Sequence, residues 1–254
     1  MLIPVEKLSQ IWQIKPSSIL HVGAHQAEEL KDYKKLAWAE EFGIIWVEAQ
    51  EDLIPFLRNE TSTSKNKIIH AAIWDEDGID LELKITNNSQ SSSLLELGTH
   101  KSDYPDIGVT RSIKVRTKRL DTVLEPNSKF EFLNLDIQGV ELRALRSLGD
   151  RIAEVKWIYT EVNKQKVYKE CALISEIDLF LQEKGFTRVA TYWVPGRGWG
   201  DALYIANYFN TPFYRRCASA LKFFLWKVGK EASRVLSDFR HVLASGIKNK
   251  KHPK

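Results

Sequence analysis

Residues able to do chemistry recur where short apolar runs end. His21-Val22-Gly23-Ala24-His25 closes one such run, Glu48-Ala49 closes the next, Ala72-Ile73 lies in a third, and Asp136 and Glu161 close two later ones. In an open α/β sheet a ligand binds beyond the carboxyl ends of the strands, so residues far apart in sequence are expected to converge there. The first turn holds a single glycine, Gly23. His25 and Glu28 stand where a phosphate-binding G-x-G-x-x-G turn has its second and third glycines. A dinucleotide pyrophosphate needs close backbone approach at that point, and the His25 side chain obstructs it. A nucleoside cofactor with a cationic sulfonium and an amino-acid end needs no such cradle, and nearby carboxylates complement its charge. S-adenosylmethionine has this chemistry. Its expected contacts are His21, Gly23, Ala24, His25, Glu48, Ala49, Ala72, Ile73 and Asp136, with Glu48 accepting hydrogen bonds from the ribose hydroxyls.

Each candidate also has a purely structural reading. Asp136 is either a strand-end carboxylate that holds the cofactor's amino group or deprotonates an acceptor hydroxyl, or the N-cap of a helix starting near Gly139. His25 is a cofactor contact or a base titrating near neutrality, or only a turn residue. Ser92 and Ser93 either order over a bound molecule or belong to a polar loop. Glu161 and Trp199 suit a sugar acceptor, although hairpin packing also accounts for the tryptophan. Asp136, Gln138, Glu141 and Glu161 could gather oxygen ligands for a hard cation, but Glu141 reads as a helix residue and no compact ligand motif appears. No metal is expected.

These residues require a particular set of elements. The apolar runs at 19–24 and 44–49 flank a segment of helical spacing from Glu28 to about Phe42, which reads as a βαβ unit with parallel strands. Further strands are expected at 67–74, 79–85, 112–119, 130–136 and 155–162. Helices are expected at about 51–59, 140–148 and 174–184. The runs at 186–193 and 202–206 are too close for a helical crossover and predict an antiparallel hairpin. The expectation is a Rossmann-like α/β fold: a seven-stranded, mostly parallel sheet with an antiparallel terminal hairpin, plus a C-terminal amphipathic helix. Residues 87–108 are rich in Ser, Asn, Asp and Gly and form a candidate acceptor loop.

The chain of 254 residues is 43% hydrophobic and 28% charged, enough for one substantial core. Residues 212–254 carry 11 Lys and Arg against 2 acidic residues, whereas residues 1–211 carry 26 against 31. Two parts follow: a cofactor-binding domain over 1–211 and a basic helical tail over 212–254, with Gly229 as a candidate break. The tail's apolar positions, from Phe213 through Phe239 and Leu243, fall near a 3.6-residue period. It suggests peripheral contact with an anionic membrane, aided by Phe223, Phe224 and Trp226, or else core packing or dimerisation; a nucleic-acid groove is not expected. Two cysteines and no apolar leader or spanning run point to a cytoplasmic protein.

The ordered set His21-Val-Gly-Ala-His, Val47-Glu-Ala, Ala71-Ala-Ile-Trp, Ser91-Ser-Ser-Leu, Leu133-Asn-Leu-Asp-Ile-Gln-Gly-Val-Glu and Gly200-Asp-Ala-Leu-Tyr-Ile resembles the FkbM-family methyltransferases. Gly23, Glu48, Asp136, Gly139 and Glu141 match that family. It more often has Asp at position 21, Asn at 25 and Glu at 138, where this chain has His, His and Gln. The resemblance implies a class I S-adenosylmethionine-dependent enzyme methylating an oxygen, commonly a sugar or polyketide hydroxyl. The rival readings are a nicotinamide-dependent oxidoreductase, disfavoured by the missing glycines, and a catalytically silent module that docks on membranes through its tail.

Overall fold

The computed structural model describes residues 1–63 and 65–248, with side chains described for these except Phe209 and residues 238–248. It divides into two compact units, residues 1–210 and 211–254. The first unit contains ten strands: β1 (Ser18–Val22), β2 (Gly43–Glu48), β3 (Lys67–His70), β4 (Ala72–Ile73), β5 (Asp80–Thr86), β6 (Val109–Lys118), β7 (Phe132–Leu135), β8 (Trp157–Asn163), β9 (Phe186–Trp193) and β10 (Trp199–Ala206). Seven of them form the main sheet in the order β3-β2-β1-β7-β8-β10-β9. β1, β2 and β7 are buried along their whole length, as expected for central parallel strands covered on both faces. Leu20, Val22, Leu133 and Leu135 from the sheet meet Leu142, Leu145, Ile177 and Leu181 from the helices at 141–147 and 174–183 in one core. Full burial of each such side chain contributes about 1.5–3 kcal/mol.

Register positions the site. Val22 pairs with Val47 on one side and with Leu135 on the other, so the residues that follow all emerge at one level of the sheet. Hydrogen bonds continue just past the strands, from Gly23 N to Val47 O (2.9 Å) and from Asp136 N to Val22 O (3.1 Å). The first turn, Glu48 and Asp136 are thereby brought side by side.

Several expectations need correction. The run at 67–74 is two strands: after Ala71 N bonds to Glu48 O, the chain leaves the main sheet, and Ala72–Ile73 pairs with β6 instead. β4, β6 and β5 form a separate three-stranded sheet. The antiparallel hairpin of β9 and β10 forms as expected, with β10 lying between β8 and β9. Of the helix expected over 28–42, only Leu30–Lys35 forms, because Ala27, Ala37 and Ala39 all adopt positive φ. A helix at Val5–Trp12 has no counterpart in the sequence reading. In the second unit, one helix, Phe213–Lys248, runs through Gly229 without a break; a mid-helix glycine costs about 1 kcal/mol but removes no backbone donor. The expected apolar positions Phe239 and Leu243 lie outside the described side chains.

Candidate active site

Gly23 has φ +87°, and a Cβ on it would lie 1.9 Å from the carbonyl oxygen of Asp136. The glycine is thus required by the close passage of the β1 and β7 ends, whatever ligand sits above them. Past it, His25 also adopts positive φ, 43°. Its backbone N donates to Glu48 Oε2 at 2.8 Å, while Ala49 N and Gln50 N donate to Glu48 Oε1 at 2.9 and 2.8 Å. Glu48 is buried, and burial raises its pKa while these three donors oppose the rise. Three of the roughly four lone-pair positions of the carboxylate are occupied, leaving acceptor capacity for one further donor.

The imidazole of His25 is held at both nitrogens: Nδ1 lies 2.6 Å from Glu28 Oε1 and Nε2 lies 2.7 Å from Ser89 Oγ. The hydrogen bond to Glu28 raises the His25 pKa, and Glu28 is driven down to about 2, with His25 as its leading stabilising partner against the opposing effect of burial. Gln90 Nε2 reaches Glu28 Oε1 at 3.1 Å. The loop after β5 is thus fastened across the first turn.

Beyond β7 the dominant feature is a set of carboxylates. Gln138 Nε2 donates to Asp136 Oδ1 at 2.6 Å and to Glu161 Oε2 at 3.0 Å, while its Oε1 accepts from Tyr168 Oη at 2.7 Å. Asp136 is open to the water of a cavity yet surrounded by protein. Its desolvation, followed by the proximity of Asp201, raises its pKa to about 6. Glu161 is pushed well above the ordinary range by burial and by Glu141, Asp136 and Asp201. Glu141 is the first residue of its helix and accepts from Gly139 N (3.0 Å) and Ile137 N (3.3 Å). Glu141 thus braces the turn that leads into its helix; the N-cap is Val140, with no side-chain cap, so Asp136 does not take the capping role. Asp201, across β10, accepts from Leu2 N at 2.6 Å and from Tyr159 Oη.

Two cavities meet over these residues. The smaller, about 70 Å³, is lined by Glu48, Ala49, Ala71, Ile73, Ser92 and Ser93 among others. The larger, about 380 Å³, is lined by five carboxylates, Glu28, Glu29, Asp136, Glu161 and Asp201, with His100, Tyr104, Tyr168 and Trp199 forming an aromatic side. Trp199 Nε1 donates to Tyr104 Oη at 3.1 Å, and the His100 ring lies 5.0 Å from Tyr104 and 5.6 Å from Tyr168. Among the described residues lining this cavity there is no lysine or arginine. Gly23, His25, Gln90, Asp136 and Gln138 belong to both cavities.

The profile of the FkbM methyltransferase domain matches residues 21–188. The chain belongs to the FkbM methyltransferase family. S-adenosylmethionine, the cofactor anticipated from the strand ends, is the methyl donor that goes with this membership. No functionally curated protein matches the chain significantly. Among solved structures, the FkbM methyltransferase of Methylobacillus flagellatus is similar at 12% identity and a TM-score of 0.48, over 75% of this chain and 43% of that one. The chain thus spans less than half the length of that protein. An S-adenosylmethionine-dependent methyltransferase of Aquifex aeolicus is similar at 14% identity and TM-score 0.42, over 79% and 88% of the two chains. A magnesium protoporphyrin IX methyltransferase of Synechocystis, with bound S-adenosylmethionine, gives 9% identity and 0.44, over 80% and 76%.

Within this family member the expected residues divide unevenly. Glu48, Ala49 and Ile73 line the smaller cavity, Trp199, Glu161 and His21 the larger, and His25 and Asp136 both. Ser92 and Ser93, expected on the acceptor side, stand on the smaller cavity. Ser93 Oγ donates to Gln138 O at 2.7 Å, and Ser92 Oγ accepts from Thr86 N at 3.3 Å, so both brace the loop's base. Ala24 and Ala72 are buried but line neither cavity. His21 is packed 4.8 Å from the Trp46 ring, and desolvation by burial lowers its pKa. Sequence reasoning did not single out Glu28, Glu29, His100, Tyr104 or Tyr168. His100 and Tyr104 fall inside the expected acceptor loop, but nothing in their spacing distinguished them from its other residues.

Proposed function

We propose that this chain transfers the methyl group of S-adenosylmethionine to a hydroxyl oxygen of a neutral or amine-bearing, sugar-like acceptor. The carrying observation is that the two cavities join at Asp136 and Gln138. The smaller has the lining a nucleoside asks for: a strand-end carboxylate, Glu48, opposite the apolar Ala71 and Ile73. The carboxylates at the junction complement a sulfonium. When bound, the cofactor supplies an electrophilic methyl group.

The protein's own residues then align the acceptor and receive its proton. Glu48, Asp136 and Gln138 would hold the cofactor so that its methyl group could pass to the acceptor oxygen, with the thioether as the leaving group and the hydroxyl proton going to Asp136. Alignment supplies much of the rate in such a displacement. Asp136 stands at the junction with one oxygen engaged by Gln138, and its pKa of about 6 leaves it ionised at neutral pH, able to take the hydroxyl proton. His25 is unsuited to that task because both its nitrogens are engaged and Glu28 favours its charged form; we assign it to fastening the loop. The aromatic side formed by Tyr104, Tyr168 and Trp199 suits the apolar face of a sugar, and five carboxylates outnumber the cationic groups of the lining, the Met1 ammonium and His25, which are already paired with Glu29 and Glu28, so an anionic acceptor is disfavoured.

The test is transfer from methyl-labelled S-adenosylmethionine to matched hexosides, hexosaminides and hexuronides, with the product bond identified by NMR. An O-methyl product from the first two classes, lost in Asp136→Asn, is expected. Methylation on nitrogen or carbon, or a preference for uronates, overturns the reading.

A further inference from the structure

The tail offers a second surface, independent of the methyl-transfer chemistry. Tyr214, Leu221, Phe224, Leu225, Val228, Val235 and Leu236 are spaced so that, at about 100° per residue, they share one side of the helix 213–248. Each is 46–67% exposed, so the stripe is open along its described length. Arg215 and Lys222 border it on one edge; Arg216, Lys227 and Arg234 border the other, where they outnumber the one acidic neighbour among the described side chains, Glu231. Phe223 and Trp226, expected from sequence to join Phe224, lie on the opposite side and stack on each other at 5.6 Å, with the Lys230 ammonium 5.2 Å from the Trp226 ring. No described helix is long and apolar enough to cross a bilayer.

We infer that this helix lies in the plane of an anionic membrane surface, with the stripe from Tyr214 to Leu236 turned into the lipid and the two basic edges against the headgroups. Charge selects this occupant. The tail carries 11 basic and 2 acidic residues, so a second copy of the same helix would bring like charge against like. A polyanionic nucleic acid offers an apolar stripe no counterpart. Anionic lipid satisfies both faces at once, because apolar burial and headgroup attraction add in an interfacial helix. The remainder of the chain carries 26 basic and 31 acidic residues and has no net attraction to such a surface, which assigns the binding to the tail. An enzyme held this way would meet its acceptor at a membrane.

The full chain is sedimented with vesicles of phosphatidylcholine, with and without about 30 mol % phosphatidylglycerol. Binding at least about ten-fold tighter to the anionic vesicles is expected, weakening as salt rises from about 0.1 to about 0.5 M. Leu221→Glu/Leu225→Glu/Val228→Glu should abolish binding. Lys222→Gln/Lys227→Gln/Arg234→Gln should remove the preference for phosphatidylglycerol while keeping the stripe. Cooperative thermal unfolding at the wild-type temperature shows that each variant keeps the body intact. Equal binding to both vesicles overturns the inference, as does binding unaffected by the glutamates. So does a wild-type dimer that ignores vesicles and dissociates when the stripe is substituted, since the stripe is then a seam between copies.

Discussion

The amide nitrogen of Gln138 lies 2.6 Å from Asp136 Oδ1 and, on its other side, 3.0 Å from Glu161 Oε2. One neutral side chain thus donates to two carboxylates that desolvation and neighbouring carboxylates, Asp201 foremost for Asp136 and Glu141 for Glu161, already disfavour as anions. A carboxylate here, the commoner family residue at this position, would have no proton to offer either of them unless it were itself protonated.

Gln138→Glu should therefore destabilise the protein at neutral pH by about 1–3 kcal/mol, the cost of leaving the buried Glu161 without its donor beside the cavity-facing Asp136. The loss should shrink toward pH 5 as the added carboxyl takes up a proton. Urea unfolding at pH 8 and pH 5 measures it, and a loss that is the same at both values contradicts the electrostatic account.

Cofactor affinity should depend on the ionisation of Asp136. Its pKa is raised to about 6, so it is neutral below that value and anionic above it. S-adenosylmethionine carries the sulfonium charge that S-adenosylhomocysteine lacks, so calorimetric affinities should shift several-fold toward the former between pH 5.5 and pH 8. The shift should vanish in Asp136→Asn. A ratio independent of pH would place the sulfonium elsewhere.

The pair His25 and Glu28 gives a stability signature with a definite window. Glu28, depressed from 4.5 to about 2, contributes stability that is present above pH 4.5 and lost as pH falls toward 2. His25, raised above 6.5, contributes stability that is full below 6.5 and lost as pH rises through its folded value. The two overlap between about pH 4.5 and 6.5. Glu28→Gln should lower the melting temperature most within that window and least near pH 9. Because the pair is partly exposed, the effect should be about 1 kcal/mol or less.

Gly23→Ala should be among the costliest single-methyl changes in the chain, about 3 kcal/mol or more, because it combines positive φ with a clash against the Asp136 carbonyl. Gly108→Ala, where a Cβ meets nothing within 4 Å, should stay within about 0.5 kcal/mol of wild type. Denaturant midpoints for the pair test whether the turn is constrained by its own backbone rather than by a ligand.

The sequence by itself determined the strand ends. Runs such as Ile44-Ile-Trp-Val and Phe132-Leu-Asn-Leu, short, continuous and rich in β-branched or aromatic residues, read as buried strands, and in a parallel sheet their last residues share one edge, so Gly23, Glu48 and Asp136 were legible as neighbours. The terminal hairpin followed from chain length alone. What the sequence could not convey is which side chains turn toward one another across that edge. Gln138 reads as one oxygen donor among four and as a departure from the family pattern; its role as a donor appears only when Asp136, Glu161 and Tyr168 from three separate segments are seen around it. The departure of Ala72 into the small sheet depended on a partner strand more than forty residues away. The wall of His100, Tyr104 and Tyr168 is set by loop packing, which has no period to read. Burial and backbone register are local consequences of pattern, whereas pairings between loops are decided only when the whole chain has closed around them.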